Sequence, residues 1–221
     1  MLNQTNLFWE KKETVEEFSN LPVPPYWKEY FNQFVDPAKI RVLDLGCGGG
    51  RNTEMLYEMG YDLSACDLHK SMVEATKRRI TALNQNNRMP EIIQANIIEL
   101  PFGDNTFDVI LANGVFHNVS SLDELLKALG EASRLLKENG TLCINIFTNA
   151  KVANDLTKDS EPYLYRTKEG LDLLLLSTIE IVDFLQQVGL YKQSEYVEYE
   201  RELNVGIRSI LRGVFFKKTK I

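Results

Sequence analysis

The chain of 221 residues is long enough for one α/β domain with a buried core, and too short for two ordinary domains joined by linkers. Its apolar content of 44% and charged content of 25% are typical of globular proteins and exclude a disordered or fibrous chain. The net charge of −6 argues against a nucleic-acid-binding protein, because phosphate contacts need a clustered basic face.

The N-terminus has no apolar leader segment, and no window approaches the roughly 18 apolar residues of a membrane span. We therefore expect a cytoplasmic protein that crosses no membrane. Its three cysteines, Cys47, Cys66 and Cys143, lack paired spacing and are expected to be reduced and buried. Together with only two histidines, they argue against a dedicated metal site.

Residues 1–37 are predicted to form a helical flap, and residues 38–221 are predicted to form the main domain as a single globular unit. From residue 40 onward, short apolar segments alternate with amphipathic helical patterns. This alternation predicts a mainly parallel sheet with helices on both faces, because parallel neighbours need crossover connections. The predicted strands are 40–45, 61–66, 91–95, 107–112 and 141–147, and the predicted helices are 51–59, 71–83, 122–138 and 179–188.

Three of these helices are expected to begin with a capping box, in which a serine and a glutamate three residues later satisfy each other's backbone amides. Gly140 is expected to end the helix over 122–138. Residues 23–26, VPPY, are expected to divide the flap into two helices, because proline disfavours helix at itself and just before. The capping pairs are Ser71 with Glu74, Ser121 with Glu124 and Ser177 with Glu180.

The alternation ends in the C-terminal tail. Two long segments, 190–201 and 207–218, have no helical pattern between them and predict an antiparallel pair of strands. The tail also carries the one basic cluster of the chain, which is either a solvated strand face or a contact for an anionic substrate. The cluster comprises Arg208, Arg212, Lys217, Lys218 and Lys220.

A glycine-rich turn, within VLDLGCGGGRNT at residues 42–53, joins the first strand to the next helix. At such a turn the free N–H groups of the helix face outward, and glycines let a flat ligand approach closely. Alone this is a weak signal, since tight turns use glycine for structural reasons. Asp67, however, ends the second strand 21 residues after Gly46, where a carboxylate can accept both hydroxyls of a ribose.

The spacing of the glycines separates two kinds of ribose-containing ligand. A dinucleotide fingerprint, GxGxxG, would need glycine at position 51, where this chain has Arg51. The chain instead has GxGxG, with Asp44 two residues upstream. The segment VLDLGCGGG therefore resembles the first motif of the class I S-adenosylmethionine-dependent methyltransferases.

Four later segments resemble further motifs of the same family in the same order, so the resemblance extends over about residues 38–218. It implies a Rossmann-like, doubly wound α/β fold whose seven-stranded, mainly parallel sheet has an antiparallel last strand. It also implies S-adenosyl-L-methionine as cofactor and S-adenosyl-L-homocysteine as product. The segments are ACDLHKSM (65–72), QANIIELPF (94–102), FDVILANGVFHNV (107–119) and LLKENGTLCINIF (135–147).

The resemblance implies a role for each residue of the cofactor site. Asp67 is expected to bind the ribose hydroxyls, and Asp44 to orient the loop or receive the methionine ammonium. Leu68 is expected to pack against the adenine, as is Met72 unless it belongs to the ordinary helix core. Asn113 is expected to lie beneath the sulfonium through backbone groups. The residues expected to line the methionine end and its carboxylate are Gly46, Gly48 and Gly50.

The third motif departs from the family at Asn96, where the family commonly has an aspartate that accepts a hydrogen bond from the adenine amino group. An amide oxygen can accept the same bond, although without charge assistance. Ile97 is assigned to the same cofactor site. Trp9 is assigned there too, because FWEKK resembles a segment that precedes the core in many relatives and often touches the cofactor.

Methyl transfer is an in-line displacement of an activated leaving group, so the protein mainly supplies alignment and a shielded site. A base is needed only when the acceptor is protonated at neutral pH. His117 follows the fourth strand and is the candidate base, with a structural polar role as the alternative. His69 is expected at the surface beside the cofactor.

Two variable regions are expected to form the acceptor pocket. Eight aromatic residues precede the first core strand, and they either wall the pocket or only pack the flap onto the sheet. The insertion over 149–177 follows a strand on the ligand edge, where loops often carry specificity. The candidate acceptor residues are Tyr26, Trp27, Tyr30, Tyr163, Tyr165 and Arg166.

These features predict a monomeric or homodimeric methyltransferase that acts on a small molecule. A protein or RNA acceptor is an alternative that the basic C-terminus supports. A non-catalytic S-adenosylmethionine-binding regulator or scaffold also stays open, because it would share the cofactor motifs. A nicotinamide oxidoreductase ranks below these because of Arg51, and the acceptor atom stays open.

Overall fold

A mixed β-sheet with helices on both faces organises the computed structural model, which describes residues 4–83, 88–203 and 206–219. The helices are α1 (Gln4–Glu10), α2 (Lys12–Ser19), α3 (Pro25–Phe31), α4 (Arg51–Glu58), α5 (Lys70–Ala82), α6 (Leu122–Leu135) and α7 (Thr178–Gln187). The strands are β1 (Arg41–Leu45), β2 (Asp62–Asp67), β3 (Glu91–Gln94), β4 (Phe107–Asn113), β5 (Leu136–Thr148), β6 (Thr157–Lys158), β7 (Leu164–Arg166), β8 (Asp172–Leu174), β9 (Leu190–Lys192), β10 (Val197–Leu203) and β11 (Gly206–Lys217).

The order of strands across the main sheet is β10, β11, β5, β4, β1, β2, β3. The five strands from β5 to β3 are parallel to one another, whereas β11 is antiparallel to β5 and to β10. Strand β9 pairs with β11 on the same edge as β10, so the two short strands share one position. The sheet thus has seven positions, and the expected Rossmann-like fold with an antiparallel end is confirmed.

The central parallel strands β1 and β4 are buried on both faces, which explains why their sequences are mainly apolar. Leu43 of β1 and Ile110 of β4 pack with α6 and α7 in one apolar cluster. Their neighbours Val42 and Leu111 point to the opposite face and pack with α3, α4 and α5. The sheet is therefore the middle of three layers.

The order of strands reverses at β1, which has β2 on one side and β4 on the other. The loops that follow β1 and β4 therefore lead to opposite faces of the sheet and leave a crevice between them. The glycine-rich turn follows β1 at this crevice, as the sequence pattern predicts.

One of the three predicted capping boxes is complete. The Ser177 hydroxyl accepts the Glu180 N–H at 3.3 Å, and the Glu180 carboxylate accepts the Ser177 N–H at 2.9 Å. At α6, Ser121 caps the Glu124 N–H as predicted. The Glu124 carboxylate, however, accepts the N–H of Ser120 instead, so that box is only half formed.

The capping box predicted at Ser71 and Glu74 is wrong. Helix α5 begins one residue before Ser71, whose hydroxyl donates to the carbonyl oxygen of Trp9 at 3.5 Å. The Asp67 carboxylate accepts the N–H of His69, and this turn places His69 at the N-cap. The hydrogen bond between Asp67 and His69 at the end of β2, and not the local sequence at Ser71, thus decides where α5 begins.

Gly140 does not end α6, and this prediction is also wrong. The helix ends at Leu135, and Leu136 already pairs with Phe107 of β4. Gly140 lies within β5, next to a shift in the strand register. A Cβ there would stand 3.0 Å from the Asp108 carbonyl oxygen, so the glycine allows β4 and β5 to approach closely.

The described residues ahead of β1 form three α-helices rather than two, and a short 3-10 helix at Pro37–Lys39 follows them. Residues 20–24 separate α2 from α3, as expected from VPPY, and a further break separates α1 from α2. Helices α1 and α2 pack on α5, whereas Trp27 and Phe31 of α3 are fully buried against the sheet. The division into a flap of residues 1–37 and a domain of residues 38–221 stays a prediction.

Gly49→Ala should destabilise the protein, because a Cβ at Gly49 would stand 2.5 Å from the backbone of Ser19 at the end of α2. A backbone cannot rotate away as a side chain can, so we expect a loss of about 1–3 kcal/mol in the free energy of unfolding. Gly130→Ala is the matched control, since Gly130 lies inside α6 with open space around it.

Alanine at position 130 should stabilise the helix by about 0.5–1 kcal/mol. Urea unfolding of both variants and the wild-type protein measures the two shifts. Shifts of the same sign in the two variants would contradict the close packing of α2 on the glycine-rich turn.

Candidate functional site

A cavity of about 390 Å³, here called the main cavity, opens at the carboxyl ends of β1, β2 and β4. This volume lies within the range of small-molecule sites in proteins. The turn after β1 and the segments after β2 and β4 form its lower walls. The N-terminal helices contribute Trp9 and Phe18 from above, and β8 contributes Asp172.

The turn after β1 contains three glycines with positive φ, Gly46 (71°), Gly48 (53°) and Gly50 (84°), a conformation that glycine adopts without strain. Gly46 and Gly48 line the main cavity, and a Cβ on Gly48 would meet nothing within 4 Å. Gly50 does not line the cavity. A Cβ there would stand 2.9 Å from the hydroxyl of Thr76, so Gly50 allows α4 to pack on α5.

The Asp67 carboxylate joins two walls of the main cavity. Only 8% of the residue is exposed, and its two oxygens accept the N–H groups of Gly48 at 2.9 Å and His69 at 3.0 Å. Burial raises the pKa of Asp67, and the two hydrogen bonds oppose this rise because they favour the ionised form. Both oxygens keep lone pairs for further donors, such as hydroxyls.

Asp44 lies beneath the turn and is fully buried. One carboxylate oxygen accepts a hydrogen bond from the Thr53 hydroxyl at 2.6 Å, whereas the buried Oδ1 has no partner among the described residues. Burial raises the pKa of Asp44 to about 7, while Thr53 and the nearby Arg51 act in the opposite direction. The Thr53 contact fits the expected loop-orienting role, and the free oxygen fits a cationic donor such as an ammonium group.

Apolar side chains line the side of the main cavity near β2 and β3. Met72 and Ile97 are buried, and Leu68 is partly exposed. The ring of Trp9 packs edge-on against Phe18, with 4.9 Å between the ring centroids, and both rings line the cavity. A flat heterocycle would find an apolar surface here.

Two asparagines predicted for the site also line the main cavity. The Asn96 amide oxygen accepts the Ile98 N–H at 3.2 Å, so a local turn uses one of its lone pairs. Asn113 belongs to a chain of side-chain hydrogen bonds. Its amide nitrogen donates to Asn52 at 3.3 Å, and its amide oxygen accepts from Asn145 at 2.7 Å.

His117 does not line the main cavity. It is 4% exposed, its Nδ1 accepts the Phe147 N–H at 3.1 Å, and its ring stacks on Phe147 with 3.8 Å between centroids. Burial lowers the pKa of His117 to about 3, and the nearby Arg208 acts in the same direction. Because Nδ1 already accepts a hydrogen bond, the other nitrogen carries the proton, and the geometry favours the structural role over the base.

None of the six candidate acceptor residues lines the main cavity. Tyr30 packs in the core beneath the sheet, and its hydroxyl lies 3.2 Å from the Thr141 hydroxyl. The Tyr163 hydroxyl donates to Glu180 at 3.0 Å, and Tyr165 packs in a small apolar cluster. These three tyrosines take part in packing and hydrogen bonds within the fold, and the sequence pattern does not reveal these roles.

The insertion over 149–177 reaches the main cavity through a residue that the sequence did not indicate. The insertion forms a small antiparallel sheet of β6, β7 and β8. Arg166 of β7 donates to the carboxylate of Asp172 at 2.7 Å, and Asp172 lines the cavity. The Asp172 N–H in turn donates to the Thr5 hydroxyl at 3.1 Å, so β8 and α1 close over the crevice together.

A second cavity, of about 280 Å³, contains two of the expected aromatic residues. Tyr26 and Trp27 line it, and Arg51 lines both cavities, so the two cavities are neighbours. The other lining residues are Pro22, Val23, Pro24, Pro25, Asn145, Tyr199, Arg201 and Arg212.

Sequence reasoning missed several residues of the main cavity. Gly114 directly follows Asn113, and Asn52 and Val115 lie two residues after Gly50 and Asn113, so their position alone could have indicated them. Glu124 of α6 has only a capping-box pattern, and Asp172 of the insertion has no local pattern that points to a ligand site.

Other kinds of site have little support in the described part of the chain. Within it, no three histidine, cysteine or acidic side chains are grouped so that they could hold a metal ion. None of its helices is both long and apolar enough to cross a bilayer. The three cysteines are buried and free.

The main cavity therefore has the features of a nucleoside site in a Rossmann-like α/β protein: a glycine turn after β1 and a buried carboxylate after β2. The unpartnered oxygen of Asp44 beneath the turn fits the ammonium group of an amino acid at one end of such a ligand. The apolar wall beside the turn fits a nucleobase at the other end. Comparison with known proteins gives the class.

Residues 43–144 match a family model described as a methyltransferase domain. The chain is 28% identical to a demethylmenaquinone methyltransferase of Clavibacter sepedonicus, over 97% of this chain and 88% of the relative. It is 30% identical to a ubiquinone biosynthesis O-methyltransferase of Rickettsia prowazekii, over 86% of this chain and 67% of the relative. The chain belongs to the class I S-adenosylmethionine-dependent methyltransferases, and S-adenosylmethionine is its cofactor.

A solved structure supports the same fold. The chain is similar to the Burkholderia thailandensis 1,6-didemethyltoxoflavin-N1-methyltransferase, with a TM-score of 0.65 at 18% identity. The alignment covers 96% of this chain and 81% of that one. That structure contains 1,6-didemethyltoxoflavin and S-adenosylhomocysteine.

Asp44→Asn should change how the stability of the cofactor-free protein depends on pH. Since folding raises the pKa of Asp44 from 3.8 to about 7, the stability that its protonated form contributes is lost as the pH rises through this range. Asparagine keeps an oxygen for the Thr53 hydroxyl and carries no charge. The free energy of unfolding of the variant, relative to that of the wild-type protein, should therefore increase by on the order of 2 kcal/mol between pH 5 and pH 8.

The measurement is urea unfolding of both proteins at the two pH values, without cofactor. Asp123→Asn, at an exposed position of α6, makes the same change of one charge away from the buried site and is the matched control. A difference between Asp44→Asn and wild type that does not vary with pH would contradict the raised pKa.

Proposed function

We propose that this methyltransferase transfers a methyl group from S-adenosylmethionine to a small-molecule acceptor, with the cofactor in the main cavity. The observation that carries the cofactor assignment is the buried Asp67 carboxylate, which the N–H groups of Gly48 and His69 hold at the cavity wall. Two relatives support a small acceptor, since their names place them in menaquinone and ubiquinone biosynthesis.

Asp67 would accept the two ribose hydroxyls. The backbone of Gly46 and Gly48 would face the methionine end, while Gly50 supports the turn from behind by letting α4 approach α5. The free oxygen of Asp44 lies beneath the same turn and would attract the methionine ammonium.

The apolar wall would hold the adenine. Leu68, Met72 and Ile97 would pack on its faces, and Trp9 would cover it from α1. Asn96 would accept from the adenine amino group with its second lone pair. Asn113 would approach the sulfonium through its backbone, because its side chain is occupied by Asn52 and Asn145.

Bound S-adenosylmethionine supplies a methyl group on a sulfonium, which is an activated leaving group. The chain's own residues align the two reactants and exclude water. Thr5 and Trp9 of α1 and Asp172 of β8 cover the cavity, and the Thr5 to Asp172 hydrogen bond joins these two elements. His117 has no part in this proposal.

The described part of the basic C-terminal cluster gives little support to a macromolecular acceptor. Arg208 is buried and pairs with Asp155 at 2.6 Å. Lys217 donates to the Asn105 side chain and to the Leu136 carbonyl oxygen. Arg212 lines the second cavity, Lys218 is exposed with its Nζ 5.6 Å from the ring centroid of Tyr191, and Lys220 lies outside the described residues.

We further propose a cytoplasmic location and a monomeric or homodimeric state. The three buried, free cysteines support a reducing compartment. Size-exclusion chromatography with light scattering of the purified chain tests the oligomeric state.

Asp67→Asn should weaken binding of S-adenosylhomocysteine by about 10-fold to 100-fold, because the charge is lost and the amide nitrogen can accept neither a ribose hydroxyl nor one of the two backbone N–H groups. Asp62→Asn, at the other end of β2, is the matched control and should bind like wild type. Isothermal titration calorimetry measures the affinities, and equal affinities of all three proteins would remove Asp67 from the proposed site.

The test of the reaction is transfer of a labelled methyl group from S-adenosylmethionine. Purified enzyme is incubated separately with the small-molecule, protein and RNA fractions of a cell extract. Label should appear in the small-molecule fraction and depend on Asp67. Label confined to protein or RNA would contradict the proposed acceptor class.

His117→Asn should leave the pH dependence of kcat unchanged once an acceptor is known. The asparagine oxygen can replace Nδ1 as the acceptor of the Phe147 N–H, so the fold is kept while the imidazole is removed. A pH-rate profile of the variant and the wild type measures the effect. Loss of one limb of the profile in the variant would restore His117 as a base.

A further inference from the structure

The second cavity brings three guanidinium groups together, and Asp44, which attracts Arg51, lies outside its lining. Arg51 begins α4, Arg201 lies on β10 and Arg212 lies on β11, and all three line the cavity. No acidic side chain is among the described lining residues. None of the three arginines forms an ion pair with a described residue, and only Arg51 has a backbone partner, the Pro22 carbonyl oxygen at 3.3 Å.

This grouping of like charges is unfavourable in the free protein. Burial lowers the pKa of Arg51, and the neighbouring charge of Arg201 lowers it further. Repulsion of this kind is relieved when an anion binds between the guanidinium groups. The cavity is therefore electrostatically suited to a negative ligand.

Arg212 is held in place by aromatic rings. Its guanidinium carbon lies 3.8 Å from the ring centroid of Tyr26 and 4.9 Å from that of Tyr199, both of which line the cavity. Stacking fixes the plane of the guanidinium, so its N–H groups are oriented before a ligand arrives. Such orientation favours a carboxylate or a phosphate, which a planar guanidinium binds with two parallel hydrogen bonds.

Two buried donors at the same cavity lack partners within the described ranges. The Trp27 indole Nε1 belongs to a residue with 0% exposure, and the Arg212 Nε is also buried. Buried donors in proteins are nearly always hydrogen-bonded, so a pair of free donors at one cavity points to a missing acceptor. The Asn145 Oδ1 has no donor among the described residues, so a ligand hydroxyl can donate a hydrogen bond to it.

The second cavity is also connected to the cofactor site. Arg51 lines both cavities, and it follows the glycine turn directly. Asn145 lines the second cavity and donates to Asn113, which lines the main cavity and donates to Asn52. A ligand in the second cavity would therefore lie next to the methionine end of the cofactor.

We propose that the second cavity is the acceptor site and that the acceptor is a small organic anion, whose carboxylate or phosphate is bound by Arg201 and Arg212. This inference rests on the proposed function, because it assigns the acceptor of the same reaction. The rings of Tyr26 and Tyr199 form the apolar part of the site and hold the body of the acceptor, and the buried Trp27 packs against the Tyr26 ring.

The test is calorimetric titration of two probes, benzoate and phenyl phosphate, into protein saturated with S-adenosylhomocysteine in a buffer of low chloride content. At least one probe should bind the wild-type protein, and comparison of the two distinguishes a carboxylate site from a phosphate site. Arg201→Gln and Arg212→Gln should each weaken binding about tenfold or more, since each removes charged hydrogen bonds. Arg78→Gln, at an exposed position of α5, is the matched control and should bind like wild type.

Arg212→Lys separates charge from geometry. It keeps the positive charge but loses the stacked plane, so its affinity should lie between those of the glutamine variant and the wild type. Arg201 is exposed, and Arg201→Gln therefore keeps the test open if substitution of Arg212 disturbs folding. Binding of both probes that is equal in all variants, or absent in the wild type, would overturn the inference.

The titration of S-adenosylhomocysteine that precedes the probes tests the proposed function separately. Cofactor binding without probe binding would overturn the anionic acceptor and leave the methyltransferase assignment intact. Probe binding without cofactor binding would contradict the cofactor assignment and, with it, the acceptor role of the anion site. In addition, the extract fraction that accepts labelled methyl groups should be retained on an anion-exchange resin at pH 7, and activity found only in the flow-through would overturn the inference.

Discussion

The proposed cofactor site depends on two hydrogen bonds that the Asp67 carboxylate accepts. The carboxylate accepts one N–H from the glycine turn after β1 and one from the segment after β2. Two loops that leave adjacent parallel strands are thereby held at a fixed separation, with an acidic group between them. In the proposed function, the ribose hydroxyls would donate to this carboxylate, and the glycine backbone would face the amino-acid end of the cofactor.

Two groups of charged residues beside the cavities are unfavourably placed by themselves. Asp44 is buried with a free oxygen and a raised pKa, and three arginines line the second cavity. In the proposed reaction, the methionine ammonium would neutralise the charge of Asp44, and the anionic acceptor would neutralise the charges of Arg201 and Arg212. Unfavourable electrostatics of this kind are typical of functional sites, because ligand binding compensates charges that remain unpaired in the folded protein.

Predictions from sequence succeeded where a motif lies at the carboxyl end of a predicted parallel strand. They failed where contacts between elements distant in the chain decide the position of a residue. The GxGxG turn and Asp67 were placed correctly because each lies at the end of a parallel strand, and such ends share one edge of the sheet. Ser71 and Gly140 have good local signals for a helix start and a helix end, yet contacts with Trp9 and β4 decide their positions. The aromatic residues of α3 divide between the core, as for Tyr30, and the second cavity, as for Tyr26.

The sequence by itself determined the α/β class, the antiparallel end of the sheet, the family and the cofactor, because these follow from hydrophobic periodicity and from motifs contiguous in the chain. Only the tertiary structure decided which polar side chains face a cavity. Asp172 reaches the main cavity from the insertion, and Arg201 and Arg212 reach the second cavity from two late strands, all far in sequence from Arg51, which lines both cavities. Which of these residues share a cavity depends on strand order and on the packing of the N-terminal helices, and no spacing along the chain encodes either.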